Sequence, residues 1–164
     1  MKTPVFKSPC HKIVEDTTNM DSVDTRGKII DLEELHNQNE GTVTLHFTPT
    51  TIESIDKVFL LDFVSEKRRA SLYLEVVKNE PFLSVRAEHG DFVEWKQKVE
   101  WKNNQKVFIA VSWDMKEGYL KVFVDEQPFK AINLKSLGFD NIGQKLVIGS
   151  DYENHYPGNF NISM

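Results

Sequence analysis

The stretch Val107-Phe-Ile-Ala-Val-Ser-Trp-Asp114, followed by Gly118-Tyr-Leu-Lys-Val-Phe-Val-Asp125, determines the expected fold. Apolar and polar residues alternate in both halves, and a period of two is typical of a strand with one buried face. Asp114 starts the loop, where its carboxylate is expected to cap backbone N–H groups, and Gly118 suits a positive φ. We therefore predict a β-hairpin in which Trp113 inserts between two sheets.

The same alternation recurs along the chain from Lys28 onward. Further strands are predicted over residues 41–48, 70–77, 82–88, 92–102, 145–150 and 158–164. Residues 58–64 are apolar on both faces apart from Asp62, which indicates an internal strand covered on both sides. Helical character is expected only over residues 30–37, with a short helical turn within 131–139. About ten short strands separated by turn residues predict an all-β sandwich of two antiparallel sheets.

The N-terminal segment differs from the rest of the chain. Residues 1–24 are polar and contain no apolar stretch of the kind found in a secretory signal peptide. We expect residues 1–27 to form a flexible arm and residues 28–164 to form one domain. Two localisations stay open, a cytoplasmic protein and an excised module of a secreted one.

Composition excludes several classes of protein. The chain has 164 residues, 20 Lys+Arg against 25 Asp+Glu, and a formal net charge of −5. This acidic balance argues against a nucleic-acid or anionic-membrane surface, both of which need clustered basic residues. No apolar run approaches the roughly 20 residues of a membrane span. A single cysteine, Cys10, excludes an intramolecular disulfide framework.

Three segments together resemble the concanavalin A-like lectin and glucanase superfamily. They are Gly41-Thr-Val-Thr-Leu-His-Phe47, the hairpin through Trp113-Asp114 and Val124-Asp125, and Leu146-Val-Ile-Gly-Ser150 followed by Gly158-Asn-Phe160. The hairpin is most similar to laminin G-like and pentraxin-like domains and to the lectin-like modules of bacterial sialidases. The resemblance covers residues 29–164 and implies a jelly-roll fold and carbohydrate binding. Glu126 departs from the pattern, because a glycine commonly stands there.

The sequence carries no recognised catalytic motif. The jelly-roll glucanases use a Glu-x-Asp-x-x-Glu strand to pair two carboxylates. Glu75-Val-Val-Lys-Asn-Glu80 lacks the central acid, and Glu94-Trp-Lys-Gln-Lys-Val-Glu100 has the wrong spacing as well. Cys10 has no evident base beside it. We therefore expect no enzymatic activity and no catalytic residues.

A first candidate ligand site consists of outward-facing residues on predicted strands. These are His46, Tyr73, Glu75, Arg86 and Glu88, which would form one patch if their strands are neighbours. Aromatic faces cover the apolar surface of a sugar, and Arg86 suits a ligand carboxylate such as that of a sialic acid. The favoured alternative is that Arg86, Glu75 and Glu88 form cross-strand ion pairs on a solvated sheet.

A second candidate is the loop Asp151-Tyr-Glu-Asn-His-Tyr156, in which Tyr152, His155 and Tyr156 lie close together between two strands. Binding residues concentrate on such loops, although a tyrosine-rich loop that merely covers the sandwich edge fits equally well. The parity of Trp95 and Trp101 instead points inward, so we assign both, with Phe47 and Trp113, to the core.

The sequence thus predicts a non-catalytic carbohydrate-binding, lectin-like module, with a glycan or glycoprotein as partner. The alternative is a protein-interaction or structural module of laminin G-like type, with a protein partner or a homo-oligomer. No cofactor is expected. The resembled domains often bind a calcium ion, which the loop acids Asp114, Asp125 and Asp151 would hold here, but the chain lacks a dense run of metal ligands.

Overall fold

The computed structural model describes residues 28–34, 39–149 and 159–163, which form two antiparallel sheets packed face to face. The strands in chain order are β1 (Lys28–Asp31), β2 (Glu40–Thr51), β3 (Lys57–Val64), β4 (Arg69–Val77), β5 (Glu80–His89), β6 (Asp91–Lys98), β7 (Val107–Asp114), β8 (Tyr119–Val124), β9 (Gln127–Asn133), β10 (Lys145–Ile148) and β11 (Asn159–Ser163). Short 3₁₀ turns lie at Leu32–Glu34, Ile52–Ser54 and Lys135–Leu137. The predicted all-β sandwich is confirmed.

The strand order shows how distant parts of the chain meet. The six-stranded sheet has the order β1-β10-β3-β4-β5-β6, and the five-stranded sheet has the order β11-β2-β7-β8-β9. Strands β3 to β6 follow one another as a meander, as do β7 to β9, whereas β10 and β11 return from the C-terminal part of the chain. β3 is an internal strand between β10 and β4, as its apolar sequence predicted.

Aromatic rings fill the space between the sheets at several of the predicted positions. Trp113 of β7 is buried and meets Phe63 of β3 edge to face, with ring centroids 5.2 Å apart. Trp101 and Phe47 are also buried, with centroids 5.9 Å apart. The Phe63–Trp113 contact joins the two sheets, because Phe63 belongs to one and Trp113 to the other.

Trp95 departs from its predicted place in the core. It is only half-buried and packs edge to face on Phe129 of β9, with centroids 4.9 Å apart. Lys130 Nζ lies 4.9 Å from the centroid of the same indole ring. The reason is strand order: β6 is the outermost strand of its sheet, so its inner face lies at the margin of the sandwich.

The hairpin of β7 and β8 forms as predicted. Asp114 Oδ1 accepts hydrogen bonds from the N–H groups of Lys116 at 2.9 Å and Glu117 at 3.1 Å. Gly118 has the expected positive φ, +86°. This loop therefore uses the carboxylate of Asp114 to hold its own backbone.

Of the helix expected over residues 30–37, the described residues contain one 3₁₀ turn. Within residues 30–37, the structure has the end of β1 and a single 3₁₀ turn at Leu32–Glu34, while 35–38 lie outside the described residues. The pairing of β1 with β10 overrides the local preference. The helical turn expected within 131–139 is confirmed at Lys135–Leu137.

Two further expectations concern the ends of the chain and the membrane. The proposed arm over residues 1–27 lies outside the part of the chain that the structure describes. Within the described ranges, no helix has the length and apolarity needed to cross a membrane.

Candidate ligand-binding face

The surface of the six-stranded sheet that points away from the five-stranded sheet is called the outer face here. The register of β4 and β5 places Tyr73 beside Ser84 and Ser71 beside Arg86. β6 adds Glu94 opposite Arg86. The outer face therefore brings together four residues of the predicted patch: Tyr73, Glu75, Arg86 and Glu88.

His46 lies elsewhere, and its predicted grouping with these residues is wrong. It belongs to β2, which pairs with β7 and β11 in the opposite sheet. Its half-buried ring contacts that of Phe108, with centroids 5.3 Å apart. Alternation correctly predicts that His46 points away from the core. It cannot reveal that β2 and β4 belong to different sheets.

Tyr73 lies on the outer face, as predicted, but it is buried there rather than exposed. Only 1% of the residue is accessible to solvent. Its ring lies 5.4 Å from that of Phe59, and Lys57 Nζ stands 4.2 Å from the ring centroid. Its hydroxyl and that of the neighbouring Ser84 are buried without hydrogen-bond partners. Two polar atoms beneath the outer face thus lack the partners that buried hydroxyls usually have.

A buried carboxylate, which sequence reasoning did not assign to the candidate site, lies nearby. Asp62 is fully buried, and its carboxylate accepts hydrogen bonds from Arg69 Nε at 2.9 Å and Nη2 at 2.7 Å. Ser71 Oγ also donates to this carboxylate, at 2.8 Å. The lone acid within an apolar strand was the available signal. Such a network compensates the desolvation of the charge and fixes β3 against β4.

Arg86 lies at the centre of a second charged network. Its Nε and Nη2 atoms are 3.1 and 3.0 Å from Glu88 Oε2, and Nη1 is 3.9 Å from Glu94 Oε2. The guanidinium carbon stands 4.1 Å from the centroid of Phe92. Glu88 lies on the same strand as Arg86, whereas Glu94 lies across from it on β6, so the Arg86–Glu94 pair is the one of the expected cross-strand kind.

Lysines of β6 form further ion pairs on this side of the sheet. Lys96 donates to Glu75, and this hydrogen bond raises the pKa of Lys96 above 10.5. Lys98 Nζ lies 3.1 Å from Glu80 Oε1, and that hydrogen bond likewise raises the pKa of Lys98. Glu75 is therefore a charged partner of β6 in this structure, as well as a candidate ligand contact.

Phe92 is the residue of this face that the sequence reasoning missed. It is 57% exposed, although it is a large aromatic side chain. The available signal was parity, because Phe92 shares its face with the charged residues Glu94 and Lys96 rather than with Val93 and Trp95. An accessible ring beside a guanidinium and two carboxylates offers both an apolar platform and hydrogen-bonding groups.

The other candidates are the loop over residues 151–156 and a calcium site formed by the loop acids. Asp151, Tyr152, His155 and Tyr156 lie outside the described residues. The carboxylates of Asp114 and Asp125 accept hydrogen bonds from backbone N–H groups. The donor to Asp125 is the N–H of Phe108, at 3.0 Å. Over the ranges that the structure describes, no group of three His, Cys, Asp or Glu side chains is placed to hold a metal ion.

A polar cavity of about 290 Å³ lies between the β3–β4 loop and the segment before β10. Its lining consists of Glu33, Ser65, Glu66, Lys67, Arg68, Asn141, Gly143 and Gln144. Arg68 is already paired with Asp140. Acidic and basic groups are mixed in this lining, so it favours neither anions nor cations.

The sequence matches no family model, and no curated protein sequence matches it either. Among solved structures, the Caenorhabditis elegans galectin LEC-6 is similar with a TM-score of 0.54 at 10% identity, covering 84% of this chain and 91% of that chain. The binding domain of botulinum neurotoxin DC, solved in complex with rat synaptotagmin II, is similar with a TM-score of 0.57 at 14% identity. That match covers 82% of this chain and 34% of that chain.

The ligand-binding domain of botulinum neurotoxin serotype D, solved in complex with N-acetylneuraminic acid, is also similar, with a TM-score of 0.54 at 12% identity. That match covers 82% of this chain and 35% of that chain. The chain thus spans about a third of the length of the toxin domains that it matches. At these identities the likeness concerns the fold: the chain has a two-sheet β-sandwich of the kind found in these toxin domains and in a galectin.

Proposed function

We propose that this protein is a non-catalytic, lectin-like carbohydrate-binding module of concanavalin A-like jelly-roll type. The glycan binds the outer face around Phe92 and Arg86. One observation carries the proposal: the accessible ring of Phe92 lies 4.1 Å from the Arg86 guanidinium, with Glu88 and Glu94 beside it. A sugar ring presents apolar C–H surface to an aromatic face and hydroxyls to the charged groups around it.

The charges around Arg86 favour a neutral glycan over an acidic one. The guanidinium already faces the carboxylates of Glu88 and Glu94, so a ligand carboxylate would have to displace one of them. Sugar hydroxyls, in contrast, donate to carboxylates and leave the ion pairs in place. The sialic-acid hypothesis for Arg86 therefore becomes the less favoured form of the proposal.

The structural neighbours support a glycan-binding role in general terms. One is a galectin, and another was solved with N-acetylneuraminic acid. These descriptions belong to those proteins, whose sequence identity to this chain is low. They support the choice of sugars as probes, while the position of the site rests on Phe92 and Arg86.

Titration with neutral and sialylated oligosaccharides, followed by NMR of backbone amides, tests this function. We expect saturable binding of neutral glycans, and an affinity reduced about tenfold or more in Phe92→Ala and Arg86→Ala. His46→Ala is the matched control, because His46 lies on the opposite sheet and its removal leaves glycan affinity unchanged. Absence of binding across the whole panel would contradict the proposal.

A second variant separates the two candidate locations. If the loop over residues 151–156 holds the sugar instead, Tyr152→Ala abolishes binding while Phe92→Ala leaves it intact. That result would retain a carbohydrate-binding function and reject the outer face. The protein-interaction alternative is favoured by a different observation, the exposed edge of β6.

A further inference from the structure

Strand β6 forms a long, regular and accessible edge of the six-stranded sheet. Its eight residues contain neither proline nor glycine, and all of them except Trp95 are exposed. Its pairing with β5 runs without a register shift. The other edge strands are shorter or less regular: β1 has four residues, β9 contains Pro128 and a register shift, and β11 has five residues with a register shift. β6 is therefore the edge most suited to accept another strand.

The backbone of β6 offers hydrogen-bonding groups at alternate residues. Val99 N–H, just beyond the strand, donates to Pro81 O at 3.0 Å, so odd-numbered residues direct their N–H and C=O groups toward β5. Antiparallel pairing alternates, and the even-numbered residues therefore direct theirs to the free side of the strand. These residues are Phe92, Glu94, Lys96 and Lys98.

We propose that β6 pairs antiparallel with β6 of a second copy of this chain, with the two-fold axis passing beside Trp95. In this register, Glu94 of each copy lies opposite Lys96 of the other. Phe92 then lies opposite Lys98, and Val93 opposite Gln97. All four even-numbered residues exchange backbone hydrogen bonds with the second copy, and the two six-stranded sheets become one continuous sheet.

The side chains select this register over its neighbours. A shift by one residue would pair outer-face with inner-face side chains, which antiparallel geometry does not permit. A shift by two residues in one direction places Glu94 opposite Glu94, and in the other direction Lys96 opposite Lys96. Like charges directly opposite destabilise a strand pair, whereas opposite charges stabilise it. Charge complementarity therefore specifies one self-pairing register.

The exposed apolar side chains of β6 fit the same arrangement. Phe92 is 57% exposed and would cover the aliphatic stem of the partner copy's lysine opposite it. Val93 is 42% exposed and lies opposite Gln97 of the second copy, two residues from Trp95 at the two-fold axis. Because edge pairing buries a small area, the dimer is weak and its population depends on protein concentration. The dimer is expected to form whether or not the protein binds a glycan.

Sedimentation equilibrium of the full chain, without glycan, measures the dimerisation directly. Between about 10 µM and about 1 mM, we expect the average mass to rise from that of the monomer toward that of a dimer. Glu94→Lys places two lysine pairs across the interface and weakens dimerisation about tenfold. The swap Glu94→Lys with Lys96→Glu restores opposite charges and dimerisation. A chain that stays monomeric over this range overturns the proposal.

Disulfide cross-linking tests the register independently. In a Cys10→Ser background, Trp95→Cys brings two thiols together at the two-fold axis, in a pair whose Cα atoms are about 4.5 Å apart. Val93→Cys is the matched control on the same strand and face, because its two copies are too far apart to bridge. We expect a covalent dimer from the first variant alone under mild oxidation. Equal cross-linking of both variants, or none of either, overturns the register.

Discussion

Gly41 of β2 lies directly opposite Trp113 of β7, and the indole ring occupies the space into which a side chain at position 41 would project. A Cβ atom added to Gly41 would lie 2.7 Å from Cη2 of Trp113. The same ring meets Phe63 of the other sheet edge to face. The missing side chain of Gly41 therefore allows the tryptophan to lie against its own sheet while it packs on the opposite one.

Gly41→Ala is expected to lower the free energy of unfolding by about 2 kcal/mol, because the methyl group forces the indole out of its packed position. Urea denaturation monitored by tryptophan fluorescence measures the change. In a Trp113→Phe background the smaller ring leaves room, so the same alanine costs less. Strictly additive losses in the double variant would show that the two residues do not compete for this space.

The turn between β8 and β9 contains two residues with positive φ, Asp125 at +48° and Glu126 at +67°. A side chain at Glu126 makes this backbone conformation unfavourable. Glu126→Gly is expected to raise the free energy of unfolding by about 1 kcal/mol, measured by chemical denaturation. Asn79→Gly, in the similar turn before β5, should raise the free energy of unfolding by less, because asparagine tolerates positive φ. Destabilisation by Glu126→Gly would contradict this account.

Arg69→Met is expected to destabilise the protein by about 3 kcal/mol, because it leaves the buried Asp62 carboxylate without its principal cation. Thermal and urea denaturation measure the loss. The double variant Asp62→Asn with Arg69→Met removes the buried charge as well and should recover part of the lost stability. If the double variant is less stable than the sum of the single changes predicts, the ion pair is not the reason for the loss.

The hydrogen bond to Glu75 raises the pKa of Lys96 in the folded state. The folded state therefore holds this proton more tightly, and the resulting stability is fully present below pH 10.5 and is lost as the pH rises through the folded pKa. Relative to Lys96→Met, the wild-type protein should lose stability above about pH 10.5. Unfolding by urea from pH 8 to pH 12, about the range needed, measures this difference.

Glu75→Gln is the matched variant for this pH dependence. It removes the carboxylate but leaves Lys96 in place, so the excess loss at high pH should shrink toward that of Lys96→Met. The expected difference is below about 1 kcal/mol, because both side chains are partly exposed to solvent. If Glu75→Gln loses stability at high pH as the wild-type protein does, a group other than Glu75 raises the pKa of Lys96.

Alternation predicted the strands well because it depends only on which face of a strand is buried. The hairpin of β7 and β8, with Trp113 in the core and Asp114 capping the loop, could be derived in this way. The neighbours of each strand could not be derived, because pairing depends on how the whole chain closes. His46 and Tyr73 were therefore placed in one patch, although they belong to different sheets.

The candidate site was only partly predictable for a related reason. Arg86 and Glu75 were found because their parity places them on the polar face. Phe92 has the parity of the charged residues of β6, but a single aromatic residue among charged ones does not by itself indicate a ligand site. The burial of Tyr73 depends on the long side chain of Lys57 and the ring of Phe59, which come from a neighbouring strand.

The position of β10 also has a consequence for how the chain folds. Lys28 pairs with Ile148, and β10 separates β1 from β3 within the sheet. During synthesis, β1 therefore leaves the ribosome long before its partner exists, and we expect the meander from β3 to β6 to form first. Closure of so long a loop is slow, so we expect docking of β1 and β10 to be a late step in folding.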